Sequence, residues 1–398
     1  MTRRLLPAAL ALAAALASSA AAEIRYVNDA TPDPFQCEGA PYSTIGAALA
    51  VSQAGDEIRI CPGVYPEQIV VTTDIRLTGV PLGTARPLIR PTALPTSRPS
   101  LLGGAPVTGA IIADAESARI RNLDVDLGAI GETSCTPLLT GVYLRNASGI
   151  VEDVNIRNVY GGTACDSGVG LYVESGQIRD ELGKPILGLA RVIIRSTNYE
   201  GYRKAGLVGA GPRTILSVKG GTATGPGDGG GIVPYGLQIG FDAKARVSGF
   251  TTSGNRSSDP ARAAAGFLVW RTDQITIRKS SVTDSDEGIL VVGDRVKVKK
   301  NKLSGLGRDG LVLLGDANIA TGNLIEATNV SGAFINGSRN TVRGGVMRNL
   351  PVGLWFQNGI GNRFGGVRFD VVPKATQGLE AGIRADMTEA AAAPFTTN

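Results

Sequence analysis

The stretch GFLVWRTDQITIRKSSVTDSDEGILVVGDRVKVKKNKLSGLGRDGLVLLGDANIATGN, residues 266–323, states one phrase three times: GFLVW from Gly266, GILVV from Gly288 and GLVLL from Gly310. GAFIN from Gly332 and GLWFQ from Gly353 continue it, at steps of 22, 22, 22 and 21 residues. Such regularity excludes independent elements, and the period is too short for a βαβ crossover. Between the glycines lies a second β-rich phrase: QITIRKS from Gln274, RVKVKKN from Arg295, ANIATGN from Ala317, RNTVRGG from Arg339 and NRFGGVRF from Asn362. Each period therefore holds two or three short strands and their turns. A unit this small cannot bury an apolar face alone, so it must stack on its neighbour, with equivalent strands paired in parallel at about 4.8 Å per coil. The predicted fold is all-β, a single-stranded right-handed parallel β-helix.

Upstream the coils are longer. GVYLR at Gly141, GLYVE at Gly170, GLVGA at Gly206 and GLQIG at Gly236 occupy the same slot, at spacings of 29, 36, 30 and 30 residues. Loops must therefore leave the turns, and they are expected at 129–140, 160–167, 196–205 and 219–235. Insertions of this kind usually gather on one side and build the functional surface.

The segment YSTIGAALAVSQAGDEIRICPGVYPEQIVVTTDIRLTG, residues 42–79, resembles the opening of pectin-lyase-like β-helix proteins. That resemblance implies a capping helix over 42–54, a Gly-Asp start to the first strand and a Pro-Gly-x-Tyr-x-Glu turn into the second. The residues read the same way on physical grounds. Ser43 or Thr44 can cap a helix that puts Ile45, Ala48, Leu49 and Val51 on one side, and Gly55 stops it. Such a helix shields the unpaired edge of the terminal coil. The resemblance runs to about residue 370 and speaks to fold, because lyases, esterases, hydrolases, epimerases and non-enzymes all share it.

Arg3 and Arg4, an apolar run from Leu5 and small residues up to Ala22 read as an export signal over 1–22, with the β-helix over 23–371 and a tail over 372–398. The route, general secretory or twin-arginine, stays open, as does periplasmic against extracellular destination. No later stretch is long and apolar enough to span a bilayer. Four cysteines suit an oxidising compartment, and of three possible pairings Cys37 with Cys61 and Cys135 with Cys165 are expected. The net charge of +5 falls by two when Arg3 and Arg4 are removed, too mild a balance for a nucleic-acid binder.

Side chains two apart along a strand share a face. After each glycine the first and third residues are apolar and read as the interior: Val142 and Leu144, Leu171 and Val173, Phe267 and Val269, Ile289 and Val291. The second and fourth then point outward, giving Tyr143 with Arg145 and Tyr172 with Glu174, a row suited to sugar faces. Further along, this outward row turns apolar: Leu268, Trp270, Leu290, Val292, Val312, Leu314, Phe334 and Trp355. That much wet apolar surface calls for a cover, either the C-terminal tail, a lateral loop or a second subunit in a homo-oligomer. The second strand carries an outward row of cations, Arg278, Lys297, Lys299, Arg343 and Arg363, close enough to repel unless an anion sits among them. An acidic polysaccharide fits such a row; neutralisation by Asp273, Asp294 and Asp316 is the competing reading.

The chain contains no histidine, which removes the commonest general base and the usual zinc ligand. Glu287 and Asp309 recur one period apart, near the separation at which two carboxyl groups divide acid and base roles. SDEGILVVGD and GRDGLVLLG resemble the coils that carry paired aspartates and Gly-His-Gly in polygalacturonases, but Arg308 and Asp309 stand where the histidine motif would fall. The signatures of pectin methylesterases and alginate epimerases are missing. NYEGYRK, residues 198–204, offers Tyr199, Glu200, Tyr202, Arg203 and Lys204 as groups able to neutralise a uronate and move its C5 proton. No cofactor is expected, and calcium has no supporting motif. Two classes of function remain: a non-catalytic binder of an acidic polysaccharide, or a polysaccharide lyase, epimerase or glycoside hydrolase with a histidine-free site.

Overall fold

A computed structural model describes residues 21–29, 37, 39–130, 135–160, 167–179, 182–228, 231–259, 261–378 and 384–386. Most of the expected export signal, residues 1–20, lies outside them, as do most of the expected loop at 160–167 and the end of the tail. The chain winds into a right-handed parallel β-helix. One coil runs through Ala265–Trp270 in sheet 1, Thr276–Arg278 in sheet 2 and Ser281–Thr283 in sheet 3, before Glu287–Val292 returns to sheet 1. Among the described residues sheet 1 has 13 strands, while sheets 2 and 3 join across a tight corner into one sheet of 24. The repeat register is the one the spacing implies: Phe267, Ile289, Leu311, Ala333 and Leu354 are successive partners. Winding continues past 371, with Lys374–Gln377 paired to sheet 1 and Arg384–Asp386 to sheet 2.

Two residue types hold the coils at this pitch. A Cβ added at Gly310 would lie 2.6 Å from the Gly332 carbonyl, and one at Gly288 would strike the Gly310 carbonyl. The glycine opening each phrase is therefore a close-approach residue, not a turn former. Asparagines satisfy the corners: Asn323 Oδ1 accepts from the Asn301 amide at 3.0 Å, and Asn340 Oδ1 from the Asn318 amide at 2.9 Å. Between the corners the interior fills with stacked Val, Ile, Leu and Phe, including all the interior pairs named above, each at 0% exposure.

The cap helix is Ile45–Ala50, shorter than the span expected from sequence; Ile45 and Ala48 are buried and Thr44 Oγ1 accepts the Ala47 amide at 3.2 Å. Val51 lies past its end and is 50% exposed. The turn motif acquires a mechanical role here. Glu67 reaches back to take the Ile45 and Gly46 amides at 2.7 and 2.8 Å, and the Tyr65 hydroxyl donates to the Cys61 carbonyl at 2.8 Å. Cys37 is bonded to Cys61. Cys135 is disulfide-bonded, and Cys165 lies outside the described residues.

Candidate functional site

The outward tyrosines of sheet 1 are not a sugar platform. Tyr143 and Tyr172 stack on each other with ring centroids 5.4 Å apart, and they are 0% and 8% exposed. Both hydroxyls donate to Glu174, a fully buried carboxylate that also accepts Ser100 Oγ at 3.0 Å and the Leu101 amide at 2.9 Å. Burial, then the Glu174 charge, push both phenols well above the ordinary tyrosine range. Arg145 is committed too, to Asp114 Oδ1 at 2.9 Å and the Pro99 carbonyl at 3.1 Å. The strand Ser97–Pro99 pairs antiparallel with Pro106–Ala113, and the segment after it lies across this row. Alternation gives the direction of these side chains correctly; an insertion from an earlier coil covers the face it exposes.

NYEGYRK is not a loop. Asn198–Tyr202 is a strand of sheet 3, so Tyr199 and Tyr202 point into the core, at 1% and 0% exposure, while Glu200 points out. Tyr202 Oη donates to Asn255 Oδ1 at 2.7 Å, and the Tyr199 hydroxyl has no hydrogen-bond partner among the described residues. Arg203 and Lys204 follow at a turn, half-buried, with the Lys204 amide on the Gly168 carbonyl at 2.8 Å. The two phenols are thus in the core, on the opposite side of the strand from Glu200. The long spacing between Gly170 and Gly206 is instead taken up by a hairpin, Gln177–Arg179 with Pro185–Leu187.

Glu287 and Asp309 do meet. The Gly288 amide donates to the Asp309 carbonyl at 3.0 Å, placing the two on neighbouring coils, and the two residues are 3% and 7% exposed. Glu287 accepts the Asp309 amide at 3.0 Å and lies 3.3 Å from Arg308 Nε, while Ser331 Oγ donates to Asp309. Burial first, then the Asp309 charge, push Glu287 up to about 8; burial also raises Asp309. A protonated acid beside a second carboxyl resembles the division of roles in a glycosidase. Here, however, three of the four carboxyl oxygens are engaged by protein donors.

The apolar row is in register, Leu268 on Leu290 on Val312 on Phe334 on Trp355. Leu268 and Val312 are only 5% and 6% exposed, and Trp270, Leu290, Val292, Leu314, Phe334 and Trp355 are half-buried. Stacking at the coil pitch lets each side chain shield its neighbours, as in the edge-on Phe334–Trp355 pair at 5.4 Å. Alternation alone overstates the wet surface.

The cation row is larger than the sequence suggests. Thr214–Lys219, Lys244–Ser248, Thr276–Arg278, Lys297–Lys299, Ile319–Thr321, Thr341–Arg343 and Arg363–Gly365 are seven successive strands of sheet 2. Six of them present an outward cation: Lys219, Arg246, Arg278, Lys297 with Lys299, Arg343 and Arg363. All are exposed except the half-buried Lys299. Among the described residues none of them has an ion-pair partner. Asp273 pairs with Arg295 and Asp316 with Arg339 at 3.1 Å, so two of the three acids expected to neutralise the row are paired elsewhere, while Asp294 accepts the Asp316 amide at 2.7 Å. Upstream in the same column Glu152 bridges Arg121 and Arg195 at 3.1 and 3.3 Å, so one carboxylate is shared by two cations. Lys219 and Arg246 escape the spacing rule because their longer coils hide the register.

No curated protein sequence matches the chain. Residues 229–371 match the family model described as periplasmic copper-binding protein (NosD). Among solved structures the chain is similar to the GH136 lacto-N-biosidase from Eubacterium ramulus, at 15% identity and a TM-score of 0.57, covering 91% of this chain and 68% of that one. It is also similar to XylC in complex with xylose, at 10% identity and a TM-score of 0.53, covering 92% and 86%. The likeness is one of fold, and it defines the class by architecture: a right-handed parallel β-helix protein. The donor set does not fit copper. The chain has no histidine, and the matched segment's one sulfur residue is Met347, buried in the core beneath Gly332. No group of three or more His, Cys, Asp or Glu able to hold a metal occurs among the described residues.

Proposed function

We propose that this chain is an exported β-helix protein that holds an acidic polysaccharide along sheet 2 without cleaving it. The observation that carries the reading is the outward cation on six of seven successive strands, none of them ion-paired among the described residues. Like charges stacked one coil apart raise each other's energy, and a polyanion relieves that repulsion. Export is supported by the leader-like N-terminus, by a disulfide and by the periplasmic description of the family that matches 229–371. A carbohydrate ligand is supported by what the similar structures are, a lacto-N-biosidase and a xylose complex. A binding role is favoured over catalysis because the tyrosines offered for proton transfer are in the core and the buried acid pair is engaged by its own neighbours.

The test is retention of the full chain on immobilised polygalacturonate or alginate against dextran, over a salt series. Selective retention that weakens with salt is expected, and Lys297→Glu with Lys299→Glu should abolish most of it. Equal retention on the acidic and neutral matrices would remove the reading. An unsaturated ultraviolet-absorbing product, or new reducing ends, would replace it with a lyase or a hydrolase.

A further inference from the structure

We infer that the corner between sheets 2 and 3 on two neighbouring coils, built by Arg278, Lys279, Lys297, Lys299 and Lys300, is a discrete site for a phosphate group. The inference stands apart from the polysaccharide reading, because it concerns one point of the molecule and a different anion. Lys219, Ser248, Arg278, Lys299, Thr321, Arg343 and Gly365 are successive register partners, and the residue after each makes the corner. That residue is glycine at 220, 249, 322, 344 and 366, with φ between +60° and +67°. On the two remaining coils it is Lys279 and Lys300, at φ +50° and +54°. Upstream the same corner holds the short polar residues Asn122, Asp153 and Ser196. A long L side chain enters this left-handed conformation at a cost that glycine does not meet. The lysines keep the same amide ladder as the glycines: Lys279 donates to the Lys299 carbonyl at 3.1 Å and Lys300 to the Thr321 carbonyl at 2.9 Å, as Gly322 does to Arg343 at 2.9 Å. Backbone geometry therefore does not account for them, and their charge is the property to explain.

The strained lysines stand where the cations are densest. Arg278 is the register partner of Lys299, and Thr276 of Lys297, so five cations share two coils about 4.8 Å apart. All are exposed except the half-buried Lys299, and none has an ion-pair partner among the described residues. Glu326, the acid one coil further on in sheet 3, is already shared by Lys302, at 3.4 Å, and Arg348. Five like charges at this spacing repel, and one negative charge at a point offsets little of that. A carboxylate brings a single charge, and its two coplanar oxygens are matched best by the fork of an arginine. Four of the five groups here are lysines, point charges with no fork. A phosphate monoester brings nearly two charges and three acceptor oxygens on a tetrahedral centre, which suits ammonium groups arriving from two coils.

The experiment titrates the full chain calorimetrically at low salt and about pH 7.5, where a phosphate monoester is close to doubly charged. The probes are mannose 6-phosphate and inorganic phosphate, against the singly charged glucuronate and glucose 6-sulfate. Both phosphates should bind about tenfold more tightly than either singly charged probe. Lys279→Gly with Lys300→Gly gives these corners the residue that the neighbouring coils carry. In that variant the urea midpoint should not fall, while phosphate affinity should drop about three- to tenfold with the loss of two exposed charge contacts. Glucuronate held as tightly as mannose 6-phosphate, or a double variant that binds phosphate as its parent does, would overturn the site. Absence of phosphate binding while polygalacturonate is still retained over dextran would overturn it and leave the polysaccharide reading standing. Phosphate binding lost in the double variant, with no such retention in the parent, would sink the polysaccharide reading and keep the site.

Discussion

Replacing Glu287 with glutamine should flatten the pH dependence of stability. In the folded chain burial holds the Glu287 proton up to about pH 8, whereas the ordinary value is 4.5. Between those limits the folded state binds a proton that the unfolded chain has released, so stability falls as pH rises. The slope is about 1.4 kcal/mol per pH unit for one full proton. At pH 7, well above the ordinary value, the cost of holding the acid neutral is on the order of 3 kcal/mol. Glutamine keeps the shape and can still accept the Asp309 amide, but it has no charge to suppress. The variant should therefore gain on the parent as pH rises and exceed it at pH 8, with the advantage shrinking toward pH 5. Urea midpoints and m-values for both proteins at pH 5, 6, 7 and 8, followed by far-ultraviolet circular dichroism, read this directly. Parallel pH profiles, or a variant less stable than the parent at pH 8, would refute the assignment of Glu287 as a buried neutral acid.

Gly310→Ala should cost about 1–3 kcal/mol or more, since the new methyl group meets the Gly332 carbonyl at 2.6 Å and the Ile325 side chain; an unchanged urea midpoint would mean the coil pitch is looser than described. Tyr199→Phe and Tyr202→Phe form a matched pair: the first removes a hydroxyl with no partner and should be neutral or stabilising, and the second strands Asn255 and should cost about 1–3 kcal/mol. Equal effects would place both rings elsewhere. Glu67→Ala releases the two amides at the start of the cap helix and should lower stability by about 1 kcal/mol, with faster hydrogen exchange at Ile45 and Gly46 as the specific sign.

The solenoid is legible because its signals are periodic. A glycine forced by the neighbouring coil's carbonyl and an interior pair after it repeat at one spacing, and stacking turns that spacing into a column. The site is less legible because faces are decided by what lies over them. Tyr143 and Tyr172 point outward as alternation requires, yet Ser100 and Leu101, from an insertion far upstream, close over them through Glu174. No spacing rule connects residues 100 and 174. NYEGYRK misleads for a different reason: polar residues near a long insertion look like loop, but Gly201, at φ +63°, kinks a strand so that Tyr199 and Tyr202 both face inward. The corner asparagines stand in plain view in ANIATGN and RNTVRGG. Taken as ladders, they locate the turns, and so the cation columns, from residue spacing alone.

The two wide faces of the solenoid are left in different states, and this explains why sheet 2 is the open one. On sheet 1 the N-terminal coils lie beneath the 97–105 segment, held by a buried carboxylate with four hydrogen-bond donors, and the C-terminal coils bear an apolar spine that shields itself. Neither offers a line of free polar groups. On sheet 2 Glu152 bridges the two upstream arginines, and from Lys219 to Arg363 the outward cations have no ion-pair partner among the described residues. Had these cations served only solubility, carboxylates interspersed along the columns would have done so at lower electrostatic cost. A row of one sign, in register and confined to one face, is what the proposed polyanion binding rests on.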